Sequence, residues 1–244
     1  MKLIRNLKIK YSAFHKLYPL PSIEMMCEVN RRIAVDKKNK FIYFRIPKAA
    51  NSTVILNLVN SDNFNTELGS RHLKQKFNRA NKLTSKEIHS ISTDYFLFTV
   101  VRNPFIRIVS SYLDTIVRNK RSRKVKENLG IGQDAKITFL EFCHYLRSGG
   151  ITEDPHWYRQ VDFIPCGVNN IHFVGKVESL DTDLRYIQHK ALGYQSKIIK
   201  SWNPHKTNAT SKASQLYCQE SLEIVRALYD QDFESFGYSY DTPW

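Results

Sequence analysis

Lys48 sits in a tight Pro47-Lys48 turn between a run that reads as a buried strand, Phe41–Ile46, and a helix that begins at Ser52–Thr53. That layout aims backbone N–H groups, two hydroxyls and one ammonium at a single spot, and such a spot holds an anion such as phosphate or sulfate. An ordinary strand–loop–helix connection with a solvated lysine would read the same way. A second stretch shifts the balance. Arg102 follows the apolar run Tyr95–Val101, and Ser110 lies about two turns into the next helix. An arginine fork with a hydroxyl beside it can hold a pair of phosphate oxygens. Two anion holders suit a nucleotide with phosphates at both ends. Arg107, on the same helix, is expected to face solvent or a carboxylate.

The elements that must position these groups follow from pattern. The runs Phe41–Phe44 and Tyr95–Val101 are apolar on both faces, which suits strands covered by helices on each side. Ile171–Val174 reads as a third strand, followed by Gly175-Lys176. In an open parallel sheet, ligands bind at the carboxyl ends of strands, so Lys48, Ser52, Thr53, Arg102 and Ser110 can converge although far apart in sequence. Arg32–Val35, the polar turn Asp36–Asn39 and Lys40–Ile46 read as a hairpin. Asn103 is placed to cap the helix after the second strand, with Pro104 at its first position. Thr84 or Ser85 opens a short helix with Glu87 in its first turn. Further helices are expected over 137–147, 180–191 and 214–229. Residues 118–126 read as a basic loop or the end of the preceding helix, either a solvated face or a contact strip for an acidic acceptor. Residues 1–22 allow a basic amphipathic helix that could lie on an anionic membrane, or pack as a surface helix. The expected fold is α/β: a P-loop-like three-layer arrangement with a central, mainly parallel sheet flanked by helices. One domain is expected over 23–244, preceded by the basic segment 1–22.

Composition narrows the class. The 244 residues carry 37 Lys+Arg against 23 Asp+Glu, a formal +14, which draws anionic partners: nucleotide, acidic glycan, nucleic acid or membrane. No nucleic-acid-binding module is recognisable, so none of that class is expected as a partner. Cys27, Cys143, Cys166 and Cys218 form no C-x-x-C pair, so reduced thiols in a cytoplasmic protein are expected and a zinc site is not. No apolar run is long enough to span a membrane, and no signal peptide is evident.

The two motifs together resemble the carbohydrate sulfotransferase family 2 group. Ile46-Pro-Lys-Ala-Ala-Asn-Ser-Thr53 is similar to that family's 5′-phosphosulfate loop, with alanine at position 50 where glycine is usual. Val101-Arg-Asn-Pro-Phe-Ile-Arg-Ile-Val-Ser-Ser-Tyr112 is similar to its 3′-phosphate motif. Asp154-Pro-His156-Trp157, Val174-Gly-Lys-Val-Glu-Ser-Leu180 and Tyr229–Tyr238 are similar to its later segments. The resemblance implies 3′-phosphoadenylyl sulfate as donor and transfer of its sulfuryl group to a hydroxyl or amine of a carbohydrate, leaving adenosine 3′,5′-bisphosphate. Lys48 would neutralise the leaving phosphate. Lys48, Ala49, Ala50, Asn51, Ser52 and Thr53 would hold the 5′ end, and Arg102 and Ser110 the 3′-phosphate. No metal is required by this scheme. A base is, and His72 and His156 are the candidates, with His89 less well placed. His205-Lys206 could close over the nucleotide. Two rival readings stand beside this one: a P-loop kinase or NTPase, against which the missing G-x-x-x-x-G-K-[ST] form weighs, and a non-catalytic basic protein that binds acidic glycan or nucleic acid.

Overall fold

The computed structural model describes residues 2–59, 70–118, 121–194, 198 and 207–244. Residues 61–70 read in the sequence as a polar loop; all but the last of them, and the pair His205-Lys206, lie outside the described residues. The chain divides into two compact units, Met1–Val101 with Gln160–Pro204, and Arg102–Arg159 with His205–Trp244.

The first unit carries the sheet. Its strands are β1 (Ile33–Asp36), β2 (Phe41–Phe44), β3 (Phe96–Val101) and β4 (Phe173–Lys176), in the spatial order β1-β2-β3-β4. β1 pairs antiparallel with β2 through the Asp36–Asn39 turn, whose amides Asp36 Oδ1 accepts; β2, β3 and β4 run parallel. The fold is therefore α/β with a mostly parallel sheet, as the apolar runs imply. Alternate strand residues point to opposite faces, and Phe41 and Tyr43 are as fully buried as Ile42 and Phe44. On the first of these faces Tyr43 stacks on Phe98 at 4.9 Å and 3°, a contact worth about 1 kcal/mol beyond its buried area. Val54, Ile55 and Leu58 of the helix Asn51–Leu58, with Leu184 and Ile187 of the helix Leu180–Leu192, belong to the same core.

Three details differ from the sequence reading. β4 begins two residues later than expected and takes in Gly175 and Lys176. Lys176 N–H donates to Asp183 Oδ2 at 2.7 Å, so that stretch belongs to the strand and to the helix start behind it. Residues Ile23–Arg32 form a helix, capped by Ser22, that precedes β1 directly. The basic N-terminal segment is two short helices, Lys2–Lys10 and Ala13–Leu17.

The second unit is helical. Pro104–Tyr112 runs into a π-helical turn over Leu113–Val117 and is surrounded by Phe139–Arg147, Ala209–Leu216 and Gln219–Leu228. Arg107 does not face solvent. It is 1% exposed and donates from Nη1 to Tyr158 O at 2.8 Å. The expected helix over 214–229 is broken at Tyr217–Cys218, where the Tyr217 hydroxyl donates to Phe105 O and its ring meets Phe105, Phe139 and Trp244. Within the basic stretch, Ser122–Leu129 is a helix of its own with Val125 and Lys126 buried, not the end of the preceding helix. No helix among the described residues is long and apolar enough to cross a membrane.

Candidate functional site

In the first unit, β2 ends at Phe44 and is pinned there by Arg45. This side chain is 4% exposed and donates to the carbonyls of Arg31 and Arg32, so a buried guanidinium stands three residues before Lys48. Burial first, and the neighbouring Arg79 second, pull Arg45 well below its ordinary pKa. Ile46-Pro47-Lys48-Ala49 then closes a turn, with Ala49 N–H on Ile46 O at 3.4 Å. Proline at the second position and a left-handed residue at the third are the signature of a type II turn. The left-handed residue here is Lys48 itself, at φ 67°. Ala50 follows at φ 50°, ψ 19°, also left-handed, as the N-cap of Asn51–Leu58. A non-glycine residue in that region costs about 1 kcal/mol or more, so the turn stores strain twice within three residues. Glycine, usual at position 50 in the family that the sequence resembles, would remove one of these costs.

The same cap shapes the chemistry. The first N–H groups of a helix lack intrahelical partners. Alanine has no side-chain oxygen to accept from them, and Ala50 makes no side-chain cap. The helix start therefore presents its donors and the positive end of its dipole where the turn ends. Asn51 Oδ1 is buried there without a hydrogen-bond partner among the described residues. Ser52 Oγ accepts from Lys74 Nζ at 3.0 Å. Thr53 is 8% exposed, and its carbonyl accepts from Asn57 Nδ2. His72 is exposed on the short helix Ser70–Leu73, which packs against Asn51–Leu58. His89 is an exposed helix end whose Nδ1 lies 2.7 Å from Ser85 O.

In the second unit, Asn103 and Pro104 behave as their types dictate. Asn103 Oδ1 accepts from Phe105 N and Ile106 N at 3.0 and 3.4 Å, and Pro104 occupies the first helical position. Arg102 is half-buried just before this cap. Ser110 is 4% exposed, and its hydroxyl lies 3.2 Å from that of Thr207. Ser111 donates to His156 O at 3.2 Å, so the helix bearing Ser110 also holds the His156 segment. His156 Nδ1 lies 2.6 Å from Asp154 Oδ1, and Arg121 Nε donates to Asp154 Oδ2 at 2.5 Å. Two lone pairs would repel at 2.6 Å, so Nδ1 carries the proton and Nε2 is the basic nitrogen of the neutral ring. Burial alone would raise Asp154, but its bonds to His156 and Arg121 hold it well below the usual carboxylate range.

The structure thus brings Lys48, the helix start Asn51–Thr53 and Lys74 onto neighbouring elements of the first unit. It joins Ser110 to Thr207, and His156 to Asp154 and Arg121, in the second. Thr207 had no signal in the sequence and Lys74 only a general basic character around it; Arg121 lay in the basic strip and Asp154 in the His156 segment, but their contact with each other was not legible. The basic strip is largely answered inside its own unit: Arg118 pairs with Asp114, Arg123 with Glu127 and Lys124 with Glu153. A groove of about 460 Å³ opens beside it, lined by Tyr112, Ile116, Ser122, Lys126 and Lys136 among others.

The family model of the sulfotransferase family matches residues 31–239. Similar curated proteins include human carbohydrate sulfotransferase 9, 26% identical over 85% of this chain and 53% of its own length. Carbohydrate sulfotransferase 10 of Xenopus laevis is 25% identical over 86% of this chain and 68% of its own. Carbohydrate sulfotransferase 11 of Rattus norvegicus is 26% identical over 86% and 67%. The chain spans about half the length of the human relative and about two thirds of the other two. No solved structure matches.

Proposed function

The chain belongs to the sulfotransferase family, and from that premise we propose that it moves a sulfuryl group from 3′-phosphoadenylyl sulfate to a hydroxyl or amine of a carbohydrate. The observation that carries this reading is the Pro47–Thr53 turn: a cationic side chain, an uncapped helix start and two hydroxyl residues at the end of a parallel strand. In this reading the fold is P-loop-like and three-layered, and residues 23–244 work as one sulfotransferase domain. Lys48, Ala49, Ala50, Asn51, Ser52 and Thr53 take the 5′-phosphosulfate, and Arg102 and Ser110 take the 3′-phosphate.

The reaction is an in-line displacement at sulfur. The acceptor oxygen or nitrogen bonds to sulfur as the bond from sulfur to the bridging oxygen breaks, and the electron pair stays on the phosphate of adenosine 3′,5′-bisphosphate. Such transfers require positioning and charge stabilisation more than covalent work by the protein. Lys48 neutralises the charge growing on the leaving oxygen. The acceptor's proton passes to a histidine. His72 is favoured by its place on the helix packed against the loop helix, and His156 by Asp154, which fixes its tautomer; His72→Ala and His156→Ala, assayed side by side, separate the two. The names of the relatives favour a carbohydrate acceptor, and the net positive charge favours an acidic one. Exposed Leu3, Ile4 and Leu7 beside Arg5 and Lys8 suit peripheral contact with an anionic membrane surface.

The test is incubation with labelled donor and a panel of glycans, read by mass for the gain of a sulfate. Binding of adenosine 3′,5′-bisphosphate and of ATP–Mg²⁺ is measured alongside. Sulfate gain on a glycan with preference for the bisphosphate is the expected result; tighter binding of ATP–Mg²⁺ without transfer overturns it.

A further inference from the structure

We propose that Lys74 is a second cation for the phosphosulfate end of the donor, delivered to the loop from outside it. The assignment rests on the donor reading above. Lys74 lies 26 positions beyond Lys48 in the sequence, yet its Nζ stands 3.0 Å from Ser52 Oγ, on the second residue of the loop helix. Its position is built. Leu73, the preceding residue, is 1% exposed in the same core as Val54, Ile55 and Leu58. Lys76 N–H donates to Leu73 O at 3.2 Å, and Arg79 Nη2 donates to Lys74 O at 2.9 Å. The backbone on both sides of Lys74 is therefore fixed by groups other than its ammonium.

The chemistry follows from valence and charge. An ammonium has three protons to donate and a serine oxygen accepts one of them here. A hydroxyl that accepts from Lys74 turns its own proton toward another acceptor, so Ser52 relays the polarity of Lys74 into the loop. Lys48 and Lys74 together suit a dianionic group, and the phosphosulfate carries one charge on phosphate and one on sulfate. During transfer Lys74 moves no proton: it holds anionic oxygens while the pair of electrons settles on the phosphate.

Calorimetric titration of adenosine 3′,5′-bisphosphate into wild type, Lys74→Ala and Lys74→Arg, at two salt concentrations, tests this. Lys74→Ala is expected to weaken binding about tenfold or more and to make the salt dependence shallower. Lys74→Arg, which keeps the charge, is expected to bind within a few fold of wild type and guards against a loss of fold. Equal affinity and equal salt dependence for wild type and Lys74→Ala overturn the role of Lys74. A wild type that fails to bind the bisphosphate overturns the donor reading itself, and this assignment with it.

Discussion

At Lys48 the chain leaves its strand through two left-handed non-glycine residues and starts a helix that no side chain caps. At Arg102 it leaves through Asn103 and Pro104 and starts a helix that is capped, buried and relaxed. Both are strand-to-helix turns with one basic residue, and under the proposed function each would hold its anion by a different means. In the first, the N-cap side chain accepts from none of the helix amides and the turn carries strain. In the second, Asn103 already accepts from two of the helix amides, so under the proposed function the anion there falls to side chains, Arg102 and Ser110. The first turn should lose function when its charge goes and gain stability when its strain goes. The second should lose affinity when its arginine goes and stability when its cap goes.

Four measurements press on that contrast. Lys48→Ala should lower sulfuryl transfer by about 10²–10³-fold with little change in melting temperature; transfer near the wild-type rate would remove Lys48 from the breaking bond. Arg102→Ala should weaken bisphosphate binding by roughly 10–100-fold, the worth of a hydrogen bond to a charged group. Arg102→Lys should recover only part of that, because a point charge does not replace a planar fork. Asn103→Ala should cost about 1 kcal/mol, seen as a fall of roughly 2–4 °C in melting temperature for a chain of this size. An unchanged melting temperature would mean that the cap is idle. Ala50→Gly is the smallest change and has the opposite sign. Relief of the left-handed strain, less the entropy of glycine, should stabilise by about 0.5–1 kcal/mol and leave transfer intact. A lower melting temperature there would show that the turn is not strained at Ala50.

Those residues also show what sequence can carry. Asn103-Pro104 and the Thr84–Glu87 capping box act over three or four residues, so their types alone predict their geometry, and the structure has both. The first two parallel strands were legible because burial on both faces leaves a continuous apolar run. The helix Ile23–Arg32 was hidden by its junction with β1, since its last residue reads as the start of the hairpin strand Arg32–Val35. The break at Tyr217–Cys218 was hidden for another reason: nothing in 214–229 interrupts a helix locally. Tyr217 leaves the helix because its ring and hydroxyl are taken up by Phe105, Phe139 and Trp244, residues distant in sequence. At the candidate site the same division holds. Lys48, Ser52 and Arg102 lie in contiguous motifs, whereas Lys74 on Ser52, Thr207 beside Ser110 and Arg121 on Asp154 are relations between side chains that only folding creates.

The sheet has a further consequence, in the time taken to make it. β3 and β4 are neighbours, but residues 102–159 of the other unit come between them in the chain. A ribosome that has just released Val101 must add about seventy more residues before β4 emerges, several seconds at ~5–20 residues per second. During that interval the edge of β3 over Phe98–Val101, which β4 will cover, has no strand of its own to pair with. It is an apolar edge, open to any other extended chain. The order in which this sequence is written therefore exposes the middle of its sheet before it can close it, and crowded synthesis is where the protein is most vulnerable to pairing with the wrong strand.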